Sequence, residues 1–200
     1  MRTSPVLICA ALAFAACRGT EADVFRSRTD AGPTADAAPP RPRPMPLGTW
    51  QIQLTGPLNT SVDVQVLTSD VETSAATLAG LHAAGRVALC YFSAGTMEPF
   101  RDDASRFPPA TLGAPLPAYP DERWIDTRDD SVRAIMRDRL AVAADRGCDG
   151  IHPSGLAAFA ADNGLGLSRD DQLNYDRWLA AAAHERGLSI GLVEGDLGLR

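Results

Sequence analysis

The sequence predicts an α/β fold, and three observations carry that prediction. Short alternating or wholly apolar runs suit strands, amphipathic stretches lie between them, and glycines close those stretches. Strand, helix and strand repeated in this way favour parallel strands joined by right-handed crossovers, with helices covering the sheet. Two hundred residues, 45% hydrophobic and 22% charged, fit one globular domain.

Trp50-Gln51-Ile52-Gln53-Leu54 alternates and reads as the first strand, and Val62–Leu67 alternates again after the turn-rich Thr55–Asn59. Ser74–Ala84 places apolar residues on one side, and Gly85 closes it as a helix. Arg86–Ser93 is the third strand. Residues 94–120 carry Gly95, Pro99, Pro108, Pro109, Gly113, Pro115, Pro117 and Pro120, a density that predicts a long loop over one end of the sheet. Arg123–Asp126 is a brief fourth strand. Asp129, Asp130 and Ser131 offer N-terminal caps to a helix with Val132, Ile135, Met136, Leu140 and Ala143 at helical spacing, closed at Arg146-Gly147. Asp149–His152 is the fifth strand. Ser168 precedes a helix bearing Leu173, Trp178, Leu179 and Ala183 that ends at Arg186-Gly187, and Leu188–Val193 is the sixth strand. Six strands in this order satisfy either a doubly wound sheet or part of a (β/α)8 barrel. No Gly-rich loop follows the first strand, as a nucleotide-binding version would require.

The N-terminus reads Met1-Arg2-Thr3, then an apolar run from Pro5 to Ala16 that is too short to span a bilayer, then Cys17. Residues 1–17 are therefore expected to be an export signal. Ala15-Ala16-Cys17 resembles a bacterial lipoprotein processing site, which implies lipidation of Cys17, with an ordinary cleaved signal as the alternative. Residues 18–46 lack a hydrophobic period and include Pro39-Pro40-Arg41-Pro42-Arg43-Pro44, so an extended tether is expected, with the folded domain at 47–200. The protein is thus expected in the bacterial cell envelope, held to a membrane through Cys17. Of four cysteines only Cys90 and Cys148 remain in the folded part. Export permits a disulfide; their apolar surroundings favour buried thiols, and that is the expectation. There are 19 basic against 25 acidic residues, a net charge of −6, so no nucleic-acid partner is expected. Every basic residue other than histidine is arginine, which excludes lysine-dependent chemistry. No cofactor or metal is expected.

Six blocks, in order and at consistent spacing, resemble glycoside hydrolase family 114, the endo-α-1,4-polygalactosaminidase-like (β/α)8 barrels. They are Trp50–Gly56, Leu81–Arg86, Cys90–Asp103, Glu122–Asp126, Arg146–Ile151 and Ala183–Leu192. The resemblance implies a barrel of about six βα units, because residues 47–200 fall short of the ~250 that a complete barrel uses. A second chain is then one way to complete it. The implied substrate is an α-1,4-linked galactosamine-type polysaccharide.

Hydrolysis of a glycosidic bond usually needs two carboxyl groups, one to protonate the leaving oxygen and one to attack or to activate water. At the fifth strand the family pattern resembles Asp-Gly-Val-Glu-Pro-Asp-Asn, and here Asp149-Gly150-Ile151 leads to His152-Pro153-Ser154-Gly155. His152 stands where the Glu is expected, and Ser154 and Gly155 replace the Asp and Asn. At the second strand Ser69 aligns with the family's Asp, and a one-residue slip would give that role to Asp70. Val193-Glu194-Gly195 replaces the sixth-strand Lys-Asn-Asp. The remaining catalytic candidates are Asp126, with Glu98 or Glu194, and His152 as a substitute base; Tyr91, Ser93, Arg101 and Glu194 are the candidates for binding substrate. Each has a structural reading beside it: Glu98 and Arg101 pairing to order their loop, Asp126 capping the following helix, Tyr91 packing in the core. His82 and His184 read as structural. Trp50, Trp124 and Tyr119 offer apolar faces to a sugar, although Trp50 and Trp124 begin strands and read as packing residues. Three functions follow from the sequence: an active glycosidase, a non-catalytic carbohydrate-binding lipoprotein, and a truncated remnant.

Overall fold

The computed structural model describes residues 48–191, so the expected signal, Cys17, the linker and Glu194 lie outside the described residues. Eight strands and three α-helices occur among them: β1 Trp50–Gln53, β2 Val66–Asp70, α1 Ala75–Ala83, β3 Val87–Ser93, β4 Thr96–Met97, β5 Leu112–Pro115, β6 Arg123–Ile125, α2 Asp130–Arg146, β7 Gly150–Ser154, α3 Arg169–Glu185 and β8 Ser189–Ile190. Five strands form one parallel sheet in the order β1-β2-β3-β7-β8. The order follows the chain without reversing, which is the winding of a (β/α)8 barrel and not of a doubly wound sheet with its switch point.

The register fixes what each face carries. Asp70 on β2 lies beside Tyr91 on β3, and Tyr91 beside His152 on β7. Successive residues point to opposite faces, so Thr68, Asp70, Tyr91, Ser93, His152 and Ser154 share the interior face. Leu67, Ala88, Cys90, Phe92 and Ile151 point to the helices and pack with Leu78 and Leu81 of α1, Ile135, Met136 and Leu140 of α2, and Tyr175 and Leu179 of α3. Thr68 Oγ1 reaches His152 Nδ1 at 3.3 Å although β3 lies between their strands. The sheet therefore curls toward its interior face.

The helix ends are set by the residues the sequence offered. Ser74 caps α1, and Asp129 caps α2 through the Ser131 amide. Ser168 and Asp171 form a reciprocal capping box on α3. Gly147 ends α2 at φ +88°, a conformation that costs glycine little.

Several expectations change. The second strand is Val66–Asp70 and not Val62–Leu67: Val62 and Val64 sit in a tight turn, joined by the Val64 amide donating to the Val62 carbonyl. The true strand buries polar residues, Thr68 and Ser69, so apolar alternation did not mark it, and the alternation at 62–66 belongs to the turn leading into it. The expected fourth strand, β6, is not in the parallel sheet; it pairs antiparallel with β4 and β5 in a three-stranded sheet built by the segment expected to be loop. Trp124 is buried there with Ala158 and Leu167, as a packing residue should be. Trp50 is 66% exposed on edge strand β1, so it is not one.

Cys90 and Cys148 are joined by a disulfide, with Cα atoms 5.9 Å apart, in place of the expected free thiols. Both are indeed in the core, and burial alone does not distinguish a thiol from a bridge. The bridge ties β3 to the turn after α2 across 58 positions. A Cys90→Ala/Cys148→Ala variant is expected to lose about 2–5 kcal/mol of stability in denaturant titration under oxidising conditions. An unchanged midpoint would show that the bridge contributes nothing.

Candidate functional site

The C-terminal ends of β2, β3 and β7, with the loop after β3, bring together Asp70, Tyr91, Ser93, Glu98, Arg101, His152 and Ser154. Parallel strands present their C-terminal ends to the loops that follow them, which is where barrel enzymes place their sites.

Arg101 organises the cluster. Its side chain is 5% exposed. Its Nη2 and Nη1 donate to the Asp70 carboxylate at 2.9 and 3.3 Å, and its Nε donates to Glu98, with a longer bond from Nη2 to Glu98 Oε1 at 3.4 Å. Burial works against the charged guanidinium, but the bonds to Asp70 and Glu98 outweigh it and raise its pKa further. The Glu98–Arg101 pairing is the one expected as a means of ordering the loop. Behind it, the buried Arg139 of α2 donates to both oxygens of Asp103 at 2.7 and 2.8 Å and to the Ser93 carbonyl at 2.6 Å. Burial opposes the Asp103 anion, and the Arg139 bonds more than offset it, so its pKa falls.

Asp70, not Ser69, occupies the interior position at the end of β2. Ser69 points to the helix side, where its Oγ is buried without a hydrogen-bond partner among the described residues. The interior position at the end of β2 thus lies one residue beyond Ser69, and in a strand one residue is a change of face.

His152 sits on the same face, with Tyr91 edge-on at 6.3 Å between ring centroids. Burial lowers its pKa and keeps the imidazole neutral. Its Nε2 is buried with no partner among the described residues. Tyr91 is half-buried, and its hydroxyl meets Ser154 Oγ at 2.8 Å.

A second chain of hydroxyls leads outward. Ser93 Oγ bonds Thr96 Oγ1, which donates to Glu122 Oε2 at 3.1 Å. Loss of hydration raises the Glu122 pKa, the Thr96 bond lowers it, and the Glu98 charge adds to the rise. In the sequence Glu122 stands out only as the first residue of the matching block Glu122–Asp126. Its position before a brief strand gave no chemical signal, and its proximity to Glu98 and Thr96 arises only when β4 and β6 pair.

Asp126 does not join this cluster. Arg128 binds it through Nε and Nη2 at 2.8 and 2.9 Å, and that bond first of all depresses its pKa. Nor does it cap α2, which Asp129 does. His82 is structural, its Nε2 lying 2.9 Å from Asp149 Oδ2. Among the described residues no group of three or more His, Cys, Asp or Glu could hold a metal ion, and no helix is long and apolar enough to cross a membrane.

Gly95 and Gly155 touch where the loops after β3 and β7 cross. A Cβ on Gly95 would overlap the Gly155 carbonyl, and one on Gly155, at φ +74°, would lie 3.1 Å from Gly95 Cα and Ser93 Oγ. Glycine at 95 lets the two backbones close over the site.

The model of the family described as Glycoside-hydrolase family GH114 matches residues 29–195. Among solved structures, the chain is similar to that of Aspergillus fumigatus Ega3 in complex with galactosamine. The identity is 44% and the TM-score 0.71, over 72% of this chain and 59% of that one. It is also similar in fold to the glycoside hydrolase domain of PelA from Pseudomonas aeruginosa, at 16% identity and a TM-score of 0.54, over 72% of this chain and 58% of that one. The chain thus spans about three fifths of the length of each. No curated protein matches.

Two outcomes test this geometry. Arg101→Met leaves Asp70 and Glu98 without their shared cation and is expected to destabilise the fold by about 3–5 kcal/mol in urea titration, the usual cost of breaking a buried pair from one side. Glu122 behaves oppositely. Because its folded pKa is raised, folding favours its protonated form, and that stabilisation, full below the ordinary Glu pKa of 4.5, is lost as pH rises through the raised value. Glu122→Gln is expected to raise the melting temperature at pH 7, with the gain vanishing below about pH 4.5; a gain that persists in acid would contradict this account.

Proposed function

The chain belongs to glycoside-hydrolase family GH114, and on that premise we propose that it binds an α-1,4-linked galactosamine-type polysaccharide at the C-terminal ends of β2, β3 and β7 without cleaving it. Similarity to Ega3, whose structure holds galactosamine, supports the polymer class. The observation that carries the reading is the buried Arg101 with Asp70 and Glu98 beside a neutral His152.

Asp70 and Tyr91 are partly exposed and can meet the hydroxyl and amino groups of a sugar. An acidic site suits a de-acetylated, cationic polymer. Cleavage asks for more. A carboxylate would stabilise the positive charge that develops at the anomeric carbon, and a neutral imidazole supplies none. Glu98 is committed to Arg101, and Asp126 to Arg128. The expected Glu position is occupied by His152, and among the described residues no other carboxyl faces the interior beside it at the end of β7.

Export belongs to the same proposal. The apolar run ending at Ala16 supports a signal, Cys17 a lipid anchor, and residues 18–46 a tether that holds the domain in the cell envelope. Several acyl chains on Cys17 would anchor it stably, where a single chain would not.

The test pairs two assays on the full chain. It is expected to co-sediment with insoluble α-1,4-galactosamine polymer while releasing no reducing ends from it. Reducing-end release by the wild-type protein would overturn the non-cleaving part of the reading, and failure to co-sediment would overturn the binding part.

A further inference from the structure

Outside the strand-end cluster, the segment after β4 and the segment before β6 enclose a cleft of about 400 Å³, lined by Pro99, Phe100, Tyr119, Asp121 and Glu122 among others. That volume lies in the range of small-ligand sites. Two aromatic side chains at its rim are unusually open for their size: Phe100 is 70% exposed and Tyr119 62%. Phe100 is not a stray apolar residue. The Arg101 guanidinium carbon lies 5.2 Å from its ring centroid, so the ring is tied to the same cation that holds Asp70 and Glu98. The lining is acidic, because Asp121 and Glu122 belong to it and, among the described residues, no arginine or histidine does. Glu122 has Thr96 as its hydrogen-bond partner and, among the described residues, no cation within ion-pair distance, unlike Glu98, Asp103 and Asp126.

We infer that this cleft is a second sugar subsite for one hexosamine unit bearing a free amine, with Phe100 and Tyr119 against the apolar face of the ring and Glu122 receiving the ammonium group. The inference rests on the polysaccharide-binding reading and deepens it by assigning where a neighbouring unit of the same polymer is held. The physical basis is complementarity. The C–H face of a pyranose covers aromatic surface, as apolar contacts do generally, while an unpaired carboxylate beside a partly dehydrated wall gains most from a cation that replaces its lost hydration. Continuity with the strand ends comes through two links. Thr96 joins Glu122 to Ser93 on β3, and Arg101 joins Phe100 to Asp70 on β2.

Calorimetric titration of the full chain with a soluble α-1,4-galactosamine oligosaccharide, and with its fully N-acetylated counterpart, tests the assignment. The free-amine oligosaccharide is expected to bind more tightly than the acetylated one. Phe100→Ala and Tyr119→Ala should each weaken the free-amine complex roughly tenfold, and Glu122→Gln should remove the preference for the free amine by a similar factor. Both aromatics are exposed, so truncation leaves the core untouched, and a thermal melt of each variant separates lost binding from lost folding. If the wild type binds while all three variants bind as it does, the subsite is overturned and the polysaccharide reading stands. Equal affinity for acetylated and free oligosaccharide overturns the role of Glu122. If the wild type binds neither, both readings fail together.

Discussion

The desolvated charge on Arg101 is the constraint around which the strand ends are arranged. A guanidinium removed from water is tolerable only when its donors are met, and here they are met by Asp70 from the end of β2 and Glu98 from the loop after β3. The pairing fixes that loop against the sheet. Arg139 repeats the device one layer back, carrying α2 to the Ser93 carbonyl and to Asp103. Two buried arginines thus hold a proline-rich segment whose regular structure is confined to short strands and single turns. The consequence for chemistry is that carboxylates which would be free to act in a looser site serve here as structural anions.

Much of the fold was readable because it rests on local signals. Ser74, Gly147 and Ser168 set helix ends by hydrogen bonding and backbone conformation within a few residues, and these positions are found where the sequence puts them. The parallel order of the strands followed from glycine-closed helices, while the choice of a barrel came from resemblance. What was hidden depended on contacts between distant segments. A one-residue difference at Ser69 and Asp70 is invisible in composition and decides which side chain meets Arg101. β6 looked like any short strand, yet its partners are β4 and β5, and only that pairing brings Glu122 to Thr96. Cys90 and Cys148 were seen to be buried, and burial carried no information about the bond between them.

On the proposed reading the site keeps a surface for sugar without a pair of carboxyl groups tuned apart in acidity across one bond. The acidity is present but spread out. Asp103 and Asp126 are held low by arginines, while Glu122 is held high by lost hydration and the nearby Glu98 charge. A shape that recognises a polymer survives such redistribution more easily than a reaction does, because recognition tolerates small displacements that a proton transfer does not.

The contact between Gly95 and Gly155 limits which side chains the loop after β7 can carry. Where the family pattern resembles Pro-Asp-Asn after the fifth strand, this chain has Pro153-Ser154-Gly155. Asparagine tolerates a φ of +74° better than most residues, but its Cβ would stand 3.1 Å from both Gly95 Cα and Ser93 Oγ. A side chain at 155 therefore enters only where the Gly95 backbone and the Ser93 hydroxyl give by a few tenths of an ångström, so the position selects glycine through its neighbours as well as through its own φ.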